Sequence, residues 1–363
     1  MGGAGGVVAP RERLAWADTT RGLGVLAVVL FHVLIWNHDA LVSGTSSVGT
    51  IWDQVGNSLG RIRMPILFAL SGFLAQAGLL RGWRAGTARL RLVSNAYLYV
   101  VWVVLYGAFF ALLARPDFPH SIDALPQFWL QFVFPTTTLW FIFALALYPV
   151  VLVGLRALRV PWWGILLLGG AAWFLGAGLR VILFGDALLQ NFVFFALGVL
   201  LAEQLRRFSR PGVLTLLAPF GVFLGAVAGG RLVEGPASDV FGFVASASAI
   251  PLAIACASLL CRWAPVARLG SAIGRRTLAI YLLQVPLLGL WSLVANPEAT
   301  WLTRLLENPL VELVYPPLVT AAIVALALGI RTLLGRIPSD PLFSVPAPLV
   351  ALARASRRGR HAR

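Results

Sequence analysis

The sequence predicts an all-α, polytopic integral membrane bundle of about ten transmembrane helices with both termini cytoplasmic. Three observations carry that prediction. The 363 residues are 59% hydrophobic and 12% charged, with a mean hydropathy of +0.85, which lies outside the range of soluble domains. Apolar stretches long enough to cross about 30 Å of hydrocarbon recur from end to end. All 29 basic residues are arginine, and they gather in alternate loops, the distribution that keeps loops cytoplasmic.

The spans are read in order as 19–37, 59–80, 92–114, 138–155, 162–184, 188–205, 212–230, 239–261, 277–296 and 312–334. Each must be helical, because a segment in lipid has to satisfy its own backbone hydrogen bonds. Residues 1–10 lack the basic start and apolar core of a cleaved signal peptide, and residues 1–15 are expected to be a disordered cytoplasmic N-terminus. Gly6 stands where a myristoylation motif requires Ser or Thr. In the second span Pro65 frees a backbone carbonyl and favours a kink, while Ser71 and Gly72 permit close helix approach. In the eighth, Cys256 and Cys261 lie about 140° apart around the helix and cannot bridge each other; they are expected to pack as small apolar groups. One transmembrane domain, 16–336, is followed by a basic tail, 337–363, rich in Pro, Ala and Arg and expected to be disordered.

Charge placement sets the orientation. Arg81, Arg84, Arg89 and Arg91 follow the second span, Arg156 and Arg159 the fourth, Arg206, Arg207 and Arg210 the sixth, and Arg262, Arg268, Arg275 and Arg276 the eighth. The opposite loops hold most of the acids, Asp186 and Asp239 among them. The net charge of +15 therefore reflects topology and affinity for anionic lipid. No nucleic-acid partner is expected, since the arginines form no single soluble face.

Arg21 and His32 are the most informative pair. Eleven residues complete about three helical turns plus roughly 20°, so both side chains share one face about 16 Å apart along the axis. Asp18, one turn earlier, points to nearly the same side and pairs locally with Arg21 on this reading. Ionisable groups at membrane depth usually mark a functional path; the plainer alternative for His32 is a packing histidine bonded to a backbone carbonyl. His38 and His120 are read as solvated in outer loops, His361 in the tail. Arg61 and Arg63 either snorkel to outer headgroups or place a cation at the mouth of a polar cavity.

These residues carry a resemblance. The first span has Asp, then Arg, ten residues and His; Arg63-Met-Pro…Leu70-Ser-Gly-Phe73, Leu139-Trp140-Phe-Ile-Phe-Ala-Leu145, Phe194-Phe-Ala-Leu-Gly198 and Thr277-Leu-Ala-Ile-Tyr281-Leu-Leu-Gln284 follow in order. Over roughly residues 15–335 the chain resembles the membrane-bound acyltransferase 3 family of O-acyltransferases. It departs from that pattern where the third span begins, Arg91-Leu-Val-Ser94-Asn95-Ala-Tyr97, which lacks an expected proline, and in having no fused extracytoplasmic hydrolase-like domain.

The resemblance implies transfer of an acyl group, expected to be acetyl, from cytosolic acyl-CoA to a hydroxyl of an extracytoplasmic or lipid-linked carbohydrate or glycolipid, in the plasma membrane. Acyl-CoA would be a co-substrate, with no bound cofactor and no metal. His32 is then the catalytic base or an acyl-carrying nucleophile, and the sequence leaves both open. Arg21 and Asp18 would support it. Arg81, Arg84, Arg89 and Arg91 are donor-binding candidates, with Arg275 and Arg276 opposite, because guanidinium groups match phosphate. Arg63 and Trp140 are acceptor-binding candidates. The competing class is a transporter or flippase, against which stands the lack of paired broken helices in matching halves.

Overall fold

A computed structural model describes residues 14–42, 46–83, 86–113, 118–122, 124–179, 185–336 and 340–355. Among these residues no strand occurs. Among them, ten long helices overlap the ten stretches read as spans: α1 (Ala15–Val33), α2 (Ser47–Leu79), α3 (Thr87–Leu112), α4 (Trp140–Ala157), α5 (Trp162–Leu179), α6 (Gly185–Leu200), α7 (Val213–Gly230), α8 (Pro236–Leu260), α9 (Thr277–Val294) and α10 (Pro309–Leu334). Eight are long and apolar enough to cross a membrane, and α5 and α6 are shorter apolar helices. Short connections make consecutive helices antiparallel, which gathers Arg21, Arg81, Arg275, Arg276 and Arg331 at one end of the bundle. The opposite end is called outer below.

α1 occupies the middle. It packs against α2, α8, α9, α10 and a short helix, Ala264–Gly274. Glycines set its approach to that short helix: a Cβ on Gly22 would lie 2.7 Å from the Gly270 carbonyl oxygen, and one on Gly274 would overlap the Asp18 carbonyl. α5, α7 and α10 turn Leu167, Leu217 and Leu318 outward, as lipid-facing helices do.

Prolines within these helices remove one backbone donor each and leave the carbonyl four residues earlier without its helical partner. Three such carbonyls are satisfied from neighbouring helices. Pro65 frees Arg61 O, which accepts from Ser246 Oγ at 3.1 Å. Pro149 frees Leu145 O, which accepts from Asn95 Nδ2 at 2.9 Å. Pro286 frees Leu282 O, which accepts from Tyr106 OH at 3.0 Å. In lipid an unsatisfied carbonyl finds no water, so these bonds join α2 to α8, α4 to α3, and α9 to α3.

The structure departs from the sequence reading at three places. α2 begins twelve residues before the span read at 59, because the Ser46 hydroxyl caps Gly49 N at 2.7 Å and polar residues do not stop a helix that projects beyond the apolar layer. α1 continues through a π-helical turn, Leu34–His38. His38, read as solvated, is 1% exposed, with Nε2 3.8 Å from the buried carboxylate of Glu312; that acid also accepts from Ser46 at 2.6 Å. Finally, part of the tail read as disordered is folded. Trp102 Nε1 donates to Leu342 O at 2.7 Å, Phe343 packs on Trp102, Arg331 pairs with Asp340 at 2.6 Å, and Ala347–Ala355 is helical against α3. An aromatic plug and one ion pair hold a segment whose composition alone argues for disorder. Residues 1–13 and 356–363, also read as disordered, lie outside the described residues.

Candidate active site

His32 lies in the last turn of α1, just before the π-helical turn, a local distortion found often at functional sites. That turn is anchored from outside: Asn37 Nδ2 donates to Ala295 O at 2.9 Å, and Tyr315 OH donates to Asn37 Oδ1 at 2.6 Å. The imidazole stacks on Trp36, centroids 4.3 Å apart, and meets the Phe31 edge at 5.6 Å. Its Nδ1 donates to Gln284 Oε1 at 3.3 Å. Because an amide oxygen only accepts, the proton facing it is assigned to Nδ1; the ring also meets the Val28 carbonyl one turn back on α1. Gln284 itself is 1% exposed, and its Nε2 has no partner.

Around the ring is a small chamber of about 70 Å³, walled by Phe31, Trp36, Arg63, Thr138, Trp140 and Tyr281 among others. Tyr281 OH donates to Thr138 O, and the buried Thr138 hydroxyl lies toward Tyr106. Arg63 covers the Phe31 ring at 3.5 Å and donates to Leu59 O at 3.1 Å. His120, read as solvated, borders the chamber with its ring 5.6 Å from Trp36; partial burial pushes its pKa below the ordinary imidazole value.

Arg63, Met64 and Trp140 also line a second cavity of about 490 Å³. Its walls include Trp173 from α5, Asp186 and Asn191 from α6, and Asp239 from α8. Arg63 and Trp140, read from sequence as acceptor-binding candidates, both line this space, while sequence reasoning singled out no residue of α6 or α8 for it. The α6 and α8 acids look like ordinary outer-loop acids until the helices are packed.

At the opposite end Arg21 donates to Thr277 Oγ1 at 2.8 Å. Asp18 acts on Arg21 electrostatically, but among the described residues no ion pair within 4 Å joins them, so the local pair is corrected to an Arg21–Thr277 bond. Thr277 sits at the start of α9, where the chain turns out of the helix Ala264–Gly274 that packs on α1. Of the four arginines read as donor-binding, Arg91 is half-buried within electrostatic reach of Arg21. Arg89 Nε is buried and unpartnered. Arg81 is exposed and donates to Ala77 O, closing its own helix at 2.9 Å. Arg84 lies outside the described residues. A cavity of about 470 Å³ is lined instead by Arg275, Arg276, Arg331 and Arg336; the last two were not singled out because the third-dimensional meeting of α9 and α10 has no signature in sequence.

The two cysteines are free, and the Cys261 thiol donates to Thr19 Oγ1 at 3.2 Å, a packing contact between α8 and α1.

No curated protein and no solved structure matches the chain. A family model described as an acyltransferase domain, that of the acyltransferase 3 family, matches residues 14–333. The matched region runs from the residue before α1 to the last turn of α10 and contains every side chain of the His32 chamber. The chain therefore belongs to the acyltransferase 3 family and is a multi-pass membrane acyltransferase.

Proposed function

We propose that this acyltransferase moves an acyl group, expected to be acetyl, from cytosolic acyl-CoA to a hydroxyl of an extracytoplasmic or lipid-linked carbohydrate in the plasma membrane. The observation that carries the proposal is the position of His32. Its ring is held by Gln284 in a chamber that shares Arg63, Met64 and Trp140 with a polar cavity, while Arg21 on the same helix lies toward an arginine-lined cavity.

A sugar hydroxyl is a poor nucleophile until its proton is taken in the transition state, and a neutral imidazole can take it at physiological pH. In the proposed step His32 Nε2 accepts the hydroxyl proton as the acceptor oxygen attacks the thioester carbonyl. The carbon–oxygen bond forms, the carbon–sulfur bond breaks, and the leaving thiolate receives the proton from the imidazolium. The Thr138 hydroxyl, buried in the chamber wall, is the donor suited to the developing oxyanion. Arg275, Arg276, Arg331 and Arg336 suit the phosphates of CoA. Arg21 and Arg91 would meet the pantetheine arm, which spans the distance of about 16 Å to His32.

Replacing His32 by Ala should reduce transfer by about 10²–10⁴-fold in protein that remains folded and still binds acyl-CoA. Wild-type turnover in that variant would return His32 to a packing role. In sealed vesicles, product should form with acyl-CoA on the arginine-rich side and acceptor on the other. Full-rate product with both confined to the arginine-rich side would refute the sidedness.

A further inference from the structure

The cavity beside the His32 chamber holds more hydrogen-bonding groups than acyl transfer itself requires. Asp186 stands in the first turn of α6 and Asp239 in the first turn of α8, so both carboxylates enter from the outer end. Asn191 lies deeper on α6 and is 7% exposed. It lines the cavity; its Nδ2 donates to Ala187 O of its own helix at 2.9 Å, and its Oδ1 is buried with no partner. An acceptor in that state is unfavourable unless a ligand hydroxyl reaches it. Trp140 and Trp173 supply aromatic walls.

Arg61 also lines a third space of about 300 Å³, toward the outer end, with Gln54, Asn57, Ser58 and Arg231. Three polar spaces thus adjoin through shared walls, Arg61 between the outer two and Arg63, Met64 and Trp140 between the inner two. In the middle space two carboxylates offset Arg61 and Arg63, and a carboxylate on a sugar seated there would oppose Asp186 and Asp239; the outer space, with Arg61 and Arg231, holds no such acid.

We propose that these spaces bind an oligosaccharide of more than one sugar unit whose acylated unit is uncharged, with Asn191, Asp186 and Asp239 as specificity-determining residues. The unit being acylated sits between Trp140 and Trp173, donates hydroxyls to the Asn191 oxygen and the two carboxylates, and turns one hydroxyl into the His32 chamber. The next unit crosses Arg61 to Asn57 and Gln54. This rests on the carbohydrate-acceptor reading above and adds to it charge, length and the residues that select.

Tryptophan fluorescence of the protein in nanodiscs tests the proposal, titrated with neutral trisaccharides of glucose and of N-acetylglucosamine, the matching monosaccharides, and trigalacturonate. Saturable binding of a neutral trisaccharide is expected, with its monosaccharide weaker and trigalacturonate without effect. Asn191→Leu and Asp239→Asn should each weaken trisaccharide binding about tenfold, the loss expected for one buried hydrogen bond. Asp239→Asn is isosteric at a half-exposed site, so misfolding does not account for its effect. No saturable binding by either neutral trisaccharide, equal binding of trigalacturonate, or unchanged affinity in both variants would overturn the proposal. The titration needs no acyl donor, which separates the two readings. Retained transfer in His32→Ala sinks the catalytic reading alone; unaltered sugar binding in both variants sinks this one alone.

Discussion

Gln284 offers a test in which function and stability should move apart. Its Oε1 accepts from His32 Nδ1 at 3.3 Å, while its Nε2 is buried with no partner. Gln284→Leu keeps the approximate shape and removes both polar atoms. Stranding the buried His32 Nδ1–H costs about 1–3 kcal/mol, and removing an unsatisfied buried amide nitrogen returns about 1–3 kcal/mol. The two offset, so the fold should be about as stable as before. Catalysis should respond differently. Without the amide the ring keeps its stack on Trp36, the Phe31 edge and the Val28 carbonyl but loses the contact from α9, and a displacement of about 1 Å at the reacting atom is worth up to about 10²-fold in rate. Turnover should therefore fall about 10–10²-fold, with KM for acyl-CoA unchanged because the donor end lies about 16 Å away along α1. Steady-state kinetics in detergent and thermal unfolding of the same preparation decide the matter. Undiminished turnover, or a large loss of Tm, would show that Gln284 supports packing and not the orientation of His32.

Arg21→Ala should weaken acyl-CoA binding more than Arg21→Lys, since lysine keeps the charge but not the fork that meets Thr277 and a donor oxygen together; equal titration curves for both variants and wild type would reassign Arg21 to anchoring. Arg275→Gln with Arg276→Gln should lower donor affinity at least about tenfold and flatten its dependence on salt, and an unchanged salt profile would remove the arginine-lined cavity from donor binding.

Much of the architecture was readable because its causes are local. Each of the ten spans is a run of apolar residues that lipid requires to be helical, and Arg21 and His32 share a face through helical period alone. The freed carbonyl at Pro65 could be stated from sequence, but its acceptance of Ser246 could not, because that donor arrives from 185 residues away. The same holds for Gln284, 252 residues from His32. Residues 340–355 were misread for a related reason: composition reports what a segment cannot bury by itself, whereas Phe343 is buried by Trp102 of α3. Asp186 and Asp239 looked like solvated outer acids, and only the close passage of α6 along α2 brings Asp186 and Asn191 to Arg63. That passage depends on two glycines. A Cβ on Gly198 would overlap the Ala69 carbonyl, and one on Gly72 the Phe195 carbonyl.

The proline-freed carbonyls tie this fold to its chemistry, and Tyr106 shows how. Its hydroxyl donates to Leu282 O, the carbonyl released by Pro286 and only two residues before Gln284. The kink of α9 is thus held at the point that aims Gln284 at His32. Tyr106→Phe retains the fully buried ring and removes the hydroxyl that donates to Leu282 O, leaving that carbonyl unpaired. A loss of about 1–3 kcal/mol is expected from the stranded carbonyl, read as a lower Tm. If the bond also positions Gln284, turnover should fall in Tyr106→Phe, and the fall should be much smaller when Gln284 is already Leu, because the two changes then act through one His32 orientation. Tyr106→Phe and Gln284→Leu are therefore best measured as a double-mutant cycle on turnover. Simple additivity in that cycle would mean that the α9 kink and the His32–Gln284 bond are independent, and that the proline-freed carbonyl serves the fold alone.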